Sequence, residues 1–156
     1  MRKRTLGAVV VATLAGFALG SVGAASAGAP SDETLVVIQA VPEQQLVDLG
    51  DPGPTTGDLI EFHSELLDAT GTAQVGDLNI QCTVNFGGQA ICLGVFTIDG
   101  RGQMSVDALP TFPNATVGMV TGGNGDFANV RGEAHIQPQP DGTTLITFHL
   151  IGIRSR

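Results

Sequence analysis

Short apolar runs, most with every second residue polar or small, recur along this chain, and no segment sustains a helical period. The pattern predicts eight strands, at residues 35–41, 58–67, 75–85, 89–98, 103–109, 116–121, 130–137 and 144–151. Tight-turn chemistry separates most of them: Gly87-Gly88, Asp99-Gly100, Gly122-Gly123-Asn124-Gly125 and Asp141-Gly142. Eight short strands joined this way read as an all-β antiparallel barrel or sandwich. Residues 42–57, with three prolines, form the one long connection. They are expected to cross an end of the sheet outside any ladder, because proline cannot donate to one.

The two faces of these strands are nonetheless unusually alike. In 89–98, Cys92, Phe96 and Ile98 share one face, and Ile91, Leu93 and Val95 the other. A barrel with a wet exterior shows polar residues at alternate positions. Apolar residues on both faces predict that the outside is covered too, most simply by another copy of the chain, so a homo-oligomer is expected.

The first 27 residues stand apart. Arg2, Lys3 and Arg4 precede an apolar, small-residue run over 6–18, and Ala25-Ser26-Ala27 supplies a small-x-small cleavage signal. This reads as a secretory signal peptide, with a run too short to span a membrane. A flexible tail is expected over 28–34, and one domain over 35–153. Cleavage removes three of the seven basic residues and none of the fifteen acidic ones. The resulting surface repels phosphate backbones and anionic lipid, which argues against nucleic-acid and membrane-surface partners. In an oxidising compartment Cys82 and Cys92 are expected to form a disulfide. A hairpin turn centred on Gly87 would set them directly across from one another.

The segment running from Val120 through Gly122-Gly123-Asn124-Gly125-Asp126-Phe127 to Arg131-Gly132-Glu133 resembles the turn of the allene oxide cyclase barrels and the dirigent proteins. Gly57-Asp58-Leu59-Ile60 with Phe62, Val75-Gly76 ahead of Cys82, 102–106 and the closing Thr147-Phe148-His149-Leu150 extend the resemblance over nearly the whole exported part. It implies an eight-stranded antiparallel barrel, open at one end, often trimeric, with an apolar cavity. In plants such barrels cyclise an unsaturated fatty-acid epoxide or steer the coupling of phenoxy radicals. The glutamate of the plant cyclases falls at Gln39, which cannot ionise and so cannot act as an acid. The Asp and Arg of some dirigent pockets fall at Asp126 and Arg131. The resemblance therefore makes Asp126 and Arg131 candidates for chemistry; independently of it, His149 is the histidine best placed to act as a base if its face points inward. Gln39, Phe62, Phe96 and Phe148 are candidates to line a cavity.

Each candidate has a bland counterpart. Asp126 and Arg131 can pin the turn to the following strand. His63, His135 and His149 lie on three predicted strands without metal-ligand spacing, so no metal is expected, and no cofactor is implied. Glu61, His63 and Glu65 read as the solvated face of an acidic protein. Gly123-x-Gly125-x-x-Ala128 is followed by a strand, which excludes a dinucleotide loop.

Three functions compete: a secreted barrel that binds a small apolar or amphipathic molecule, a cyclase, isomerase or dirigent-type guide of the same architecture, and a structural or envelope-interaction protein. True allene oxide cyclisation is disfavoured by Gln39. The state of the cavity separates the first two from the third.

Overall fold

A computed structural model describes residues 31–53, 55–110 and 113–153. The proposed signal peptide and the first part of the proposed tail, residues 28–30, lie outside them. The described chain is almost entirely β: β1 (Ser31–Gln39), β2 (Glu43–Val47), β3 (Leu59–Leu67), β4 (Gln74–Val84), β5 (Ala90–Ile98), β6 (Gly102–Ala108), β7 (Thr116–Gly123), β8 (Arg131–Pro138) and β9 (Thr144–Ile153). One 3-10 turn, Gly125–Phe127, interrupts them. None of the helices among the described residues is long and apolar enough to cross a membrane.

Each strand pairs antiparallel with its neighbours in the order β1-β9-β8-β7-β6-β5-β4-β3-β2, and a β1–β3 pairing closes eight strands into a barrel. The ninth, β2, departs from the sequence reading, which kept 42–57 out of any ladder. Glu43–Val47 pairs along β3 from His63 to Leu59. Pro42 and Pro52 flank this strand and do not interrupt it, so proline removes no ladder donor inside it. β1 also begins at Ser31, earlier than expected, where Ser31 pairs with Ile153 of β9.

Alternation decides what faces the lumen. From β3 to β9 the even-numbered residues point inward, until Gly152 breaks the alternation and turns Ile153 into the core. Leu66, Leu78, Phe96, Met104, Val120, Phe148 and Leu150 are buried there with Val37 of β1. The disulfide Cys82–Cys92 joins directly opposed residues of β4 and β5 on this inner face.

The two ends of the barrel differ. At one end the 3-10 turn folds under the lumen and buries Phe127 completely. Arg101 lies over its ring, 4.8 Å from the centroid. The Arg101 guanidinium donates to both carboxylate oxygens of Glu33 at 2.7 Å and, at 3.5 Å, to Asp126. A bidentate pair of this kind is geometrically specific and ties β1 to the β5–β6 turn. Two glycines make the fold-under possible. Gly125 has φ of +61°, and a Cβ on Gly123 would lie 2.2 Å from the Gln103 carbonyl oxygen. The other end carries the β4–β5 hairpin tip, the β6–β7 connection, the β8–β9 tip and the loop after β2, and it is open. That loop is pinned by buried Asp58, whose carboxylate accepts from the backbone N–H groups of Leu49 and Thr55 at 2.8 and 2.6 Å. The bonds from Leu49 and Thr55 hold the Asp58 carboxyl below the usual carboxylate range.

Candidate functional site

Above the plugged end the lumen is not filled. A cavity of about 250 Å³ opens toward the loop end. At roughly 30 Å³ per liquid water this is room for about eight waters, or a small one- or two-ring organic molecule. Leu78, Phe96, Val106 and Ile146 form its deeper wall, and Phe62, Ile80, Ala108 and Ile136 its sides. Pro42, Pro110, Asn114, Gln139 and Thr143 stand around the opening.

The cavity exists because small residues stand where large ones would meet. Gly94 and Ala108 face the lumen on β5 and β6, the latter level with Cys92. The disulfide contributes to the wall and keeps β4 and β5 from spreading. Further down, Phe148 closes the floor, its ring edge-on to Phe96 at 5.0 Å between centroids. Three of the four sequence-based cavity candidates, Gln39, Phe62 and Phe96, therefore line the space, and Phe148 lies behind Phe96.

Polarity inside is sparse. Gln39, only 7% exposed, brings an amide to the wall from β1. Ser64 faces inward on β3, next along its face from Phe62, and its hydroxyl is buried without a hydrogen-bond partner. No Asp, Glu, Lys, Arg or His lines the cavity among the described residues. The site can hold and orient a molecule through shape and neutral hydrogen bonds. Among the described residues its lining offers no side chain able to take or give a proton near neutral pH.

Asp126, Arg131 and His149, the candidates for chemistry, are not among the lining residues. Asp126 belongs to the plugging turn, where it meets Arg101. Arg131 opens β8 at the same end and donates to the Val130 carbonyl at 2.6 Å. His149 is at an outward position of β9 and packs edge-on against His135, with ring centroids 5.1 Å apart. His135 in turn lies 3.4 Å from Glu133. The physical reason is one of direction: the plugging turn folds away from the open end, and odd-numbered positions on β8, and on β9 as far as Ile151, face out. His63 is likewise outward on β3, within 3.1 Å of Asn79.

Sequence reasoning did not single out Ile80, Gly94, Val106, Ala108 or Ile136. One signal could have found them. A disulfide between Cys82 and Cys92 on the buried side fixes the inward parity of β4 and β5, and register carries it to β6.

No family model matches this chain, and no curated protein matches it. Solved structures do. A pyocyanin demethylase superposes with a TM-score of 0.63 at 23% identity, over 77% of this chain and 99% of that one. A pterocarpan synthase dirigent protein gives 0.66 at 13% identity, over 83% and 89%. A Diels–Alderase from Streptomyces koyangensis gives 0.53 at 14% identity, over 77% of this chain and 62% of its own. At these identities the likeness speaks for architecture alone. The chain has the fold of the dirigent and allene oxide cyclase type of barrel, as its glycine-rich turn implied.

Proposed function

We propose that this chain is an exported barrel that binds a small, uncharged, largely apolar organic molecule in its cavity. The observation that carries the reading is the cavity wall, which is apolar, free of ionisable side chains among the described residues, and provided with the amide of Gln39. Burying an ion there without a partner would cost several kcal/mol, whereas a neutral molecule with one hydrogen-bonding group meets matching chemistry. Export is supported by the signal-like leader and by the disulfide.

The test compares two probes of similar shape, neutral 2-naphthol and anionic naphthalene-2-sulfonate. Wild-type protein is expected to bind the naphthol at least about tenfold more tightly, a gap of about 1.4 kcal/mol. Ala108→Phe, which places a ring in the cavity from its side wall, is expected to weaken naphthol binding about tenfold or more while the protein stays folded. Equal affinity for both probes, or undiminished binding by folded Ala108→Phe, would sink the reading.

A second reading is that the barrel folds a reactive substrate into one conformer. The structural neighbours are named for pyocyanin demethylation, pterocarpan synthesis and [4+2] cycloaddition. A wall without acid or base could still accelerate a unimolecular cyclisation by proximity and shape. Catalytic roles for Asp126, Arg131 and His149 would need the reaction to occur away from the cavity.

We also propose that the chain self-associates, as a trimer if it follows the barrels it resembles. Ile91, Leu93, Val117 and Met119 are exposed on the outer faces of β5 and β7. Leu93 and Met119 both stand opposite Asp107 on the intervening strand. Leu93→Glu is expected to reduce the mass measured by light scattering to that of one chain. A wild-type protein that is already monomeric at micromolar concentration would overturn the proposal.

A further inference from the structure

The exposed apolar side chains on connecting segments are unevenly distributed. Val41, Leu49, Phe86 and Leu109 are all exposed, and they stand on four separate segments: the β1–β2 kink, the loop after β2, the β4–β5 hairpin tip and the end of β6. All four segments are at the open end. Phe86, at 94% exposure, is hardly touched by its own chain. At the plugged end the connections at 68–73, 99–101 and 124–130 leave no large apolar side chain exposed, and their Phe127 and Val130 are buried.

Charge follows the opposite arrangement. The basic side chains among the described residues, Arg101 and Arg131, are both at the plugged end. Three of the four carboxylates on the loops after β2 and between β8 and β9 are turned onto their own backbone, and Asp51 is exposed. Asp48 accepts from Gly50 and Gly53, Asp58 from Leu49 and Thr55, and Asp141 from Thr143. The rim thus presents separate apolar tips with no cation to attract a charged headgroup.

From this arrangement we propose that the open rim docks on an uncharged lipid interface, with Phe86 and Leu109 inserted and the cavity mouth facing the lipid. Three observations favour lipid over a protein partner. The tips come from four separate segments of the chain, which suits a deformable interface better than a single complementary face. The rim is continuous with an apolar cavity whose proposed neutral occupant would itself partition into lipid. The rim also carries no Lys or Arg among the described residues, so attachment would come from apolar insertion and not from attraction to anionic headgroups. The acidic composition argues against an electrostatic membrane contact and leaves this apolar one open. The inference rests on the proposed cavity ligand for its purpose but not for its test.

The chain contains no tryptophan, so Phe86→Trp is a clean reporter. Adding phosphatidylcholine vesicles is expected to shift its emission to the blue. In flotation assays the wild-type protein should accompany those vesicles equally well at low and high salt, and less well when phosphatidylglycerol is included. Phe86→Ser/Leu109→Ser is expected to lower partitioning at least about tenfold while leaving 2-naphthol affinity, measured without vesicles, unchanged. Absence of any blue shift with phosphatidylcholine, binding that requires added cationic lipid, or undiminished flotation of the double variant would each overturn the proposal. So would a double variant that loses mass in light scattering, since the rim would then be a contact between copies. Because naphthol titration needs no vesicles, failure of docking and failure of cavity binding are read separately.

Discussion

Phe127→Ala is expected to destabilise the barrel by about 3–5 kcal/mol, the range for deleting a buried aromatic ring whose site cannot collapse. Phe127 is fully buried beneath the lumen and is capped by the Arg101 guanidinium, which is itself held by Glu33 and Asp126. Truncation opens a void against the lower core and removes the apolar partner of that cation. For a domain of this size the melting temperature should fall by on the order of 10 °C or more. Urea unfolding with an unchanged slope would assign the loss to the native state. Naphthol affinity at low temperature should survive, because the cavity is walled off from the plug by Phe96 and Phe148. A loss below about 1 kcal/mol would show that the turn does not seal the barrel.

Gly123→Ala is expected to be worse, and to prevent recovery of folded protein. The added methyl would lie 2.2 Å from the Gln103 carbonyl oxygen, 2.8 Å from Phe127 Cβ and 2.9 Å from the Phe127 carbonyl oxygen. None of these is the end of a flexible side chain. Relief requires moving β6 away from the turn, which would break the Asn124 N–H to Gln103 carbonyl bond of 2.9 Å and displace the plug. Overpacking of a core typically costs about 1–3 kcal/mol, and here the backbone itself must shift, so a cost beyond that range and above that of Phe127→Ala is expected. The check is soluble yield together with circular dichroism and a urea midpoint. A near-native midpoint for Gly123→Ala would show that the close approach of β6 to the turn is not required.

These two substitutions sit in the segment that was most legible from the sequence, and the comparison explains what could be read and what could not. Turn chemistry at Gly87-Gly88, Asp99-Gly100 and Asp141-Gly142 located the hairpins, and period-two patterning placed the strands between them. The hairpin register around Gly87 set Cys82 opposite Cys92, and the disulfide joins them. The short strand β2 was hidden because Glu-Gln-Gln-Leu-Val is mostly polar and lies between prolines; its pairing comes from the free edge of β3 and not from its own pattern. The cavity was hidden for a different reason. When both faces of a strand are apolar, periodicity cannot say which one faces in. Nor can it say which end of a barrel is closed, since that depends on where a turn folds relative to the lumen. Asp126 and Arg131 were noticed as a spaced pair, but the partner that organises the plug is Arg101, which lies 25 residues from Asp126 in sequence. A long-range ion pair leaves no local spacing to detect.

The plugged end and the open end do separate jobs with separate residues. Phe127, the Arg101–Glu33 pair and the close-approach glycines hold the strands in register, while the mouth is made by loops that the lower core does not need. Substitutions at Pro110, Asn114, Gln139 or Thr143 can therefore reshape what enters without spending the stability that keeps the barrel closed. A scaffold divided in this way is free to change ligands over evolutionary time, and it gives an engineer a place to randomise.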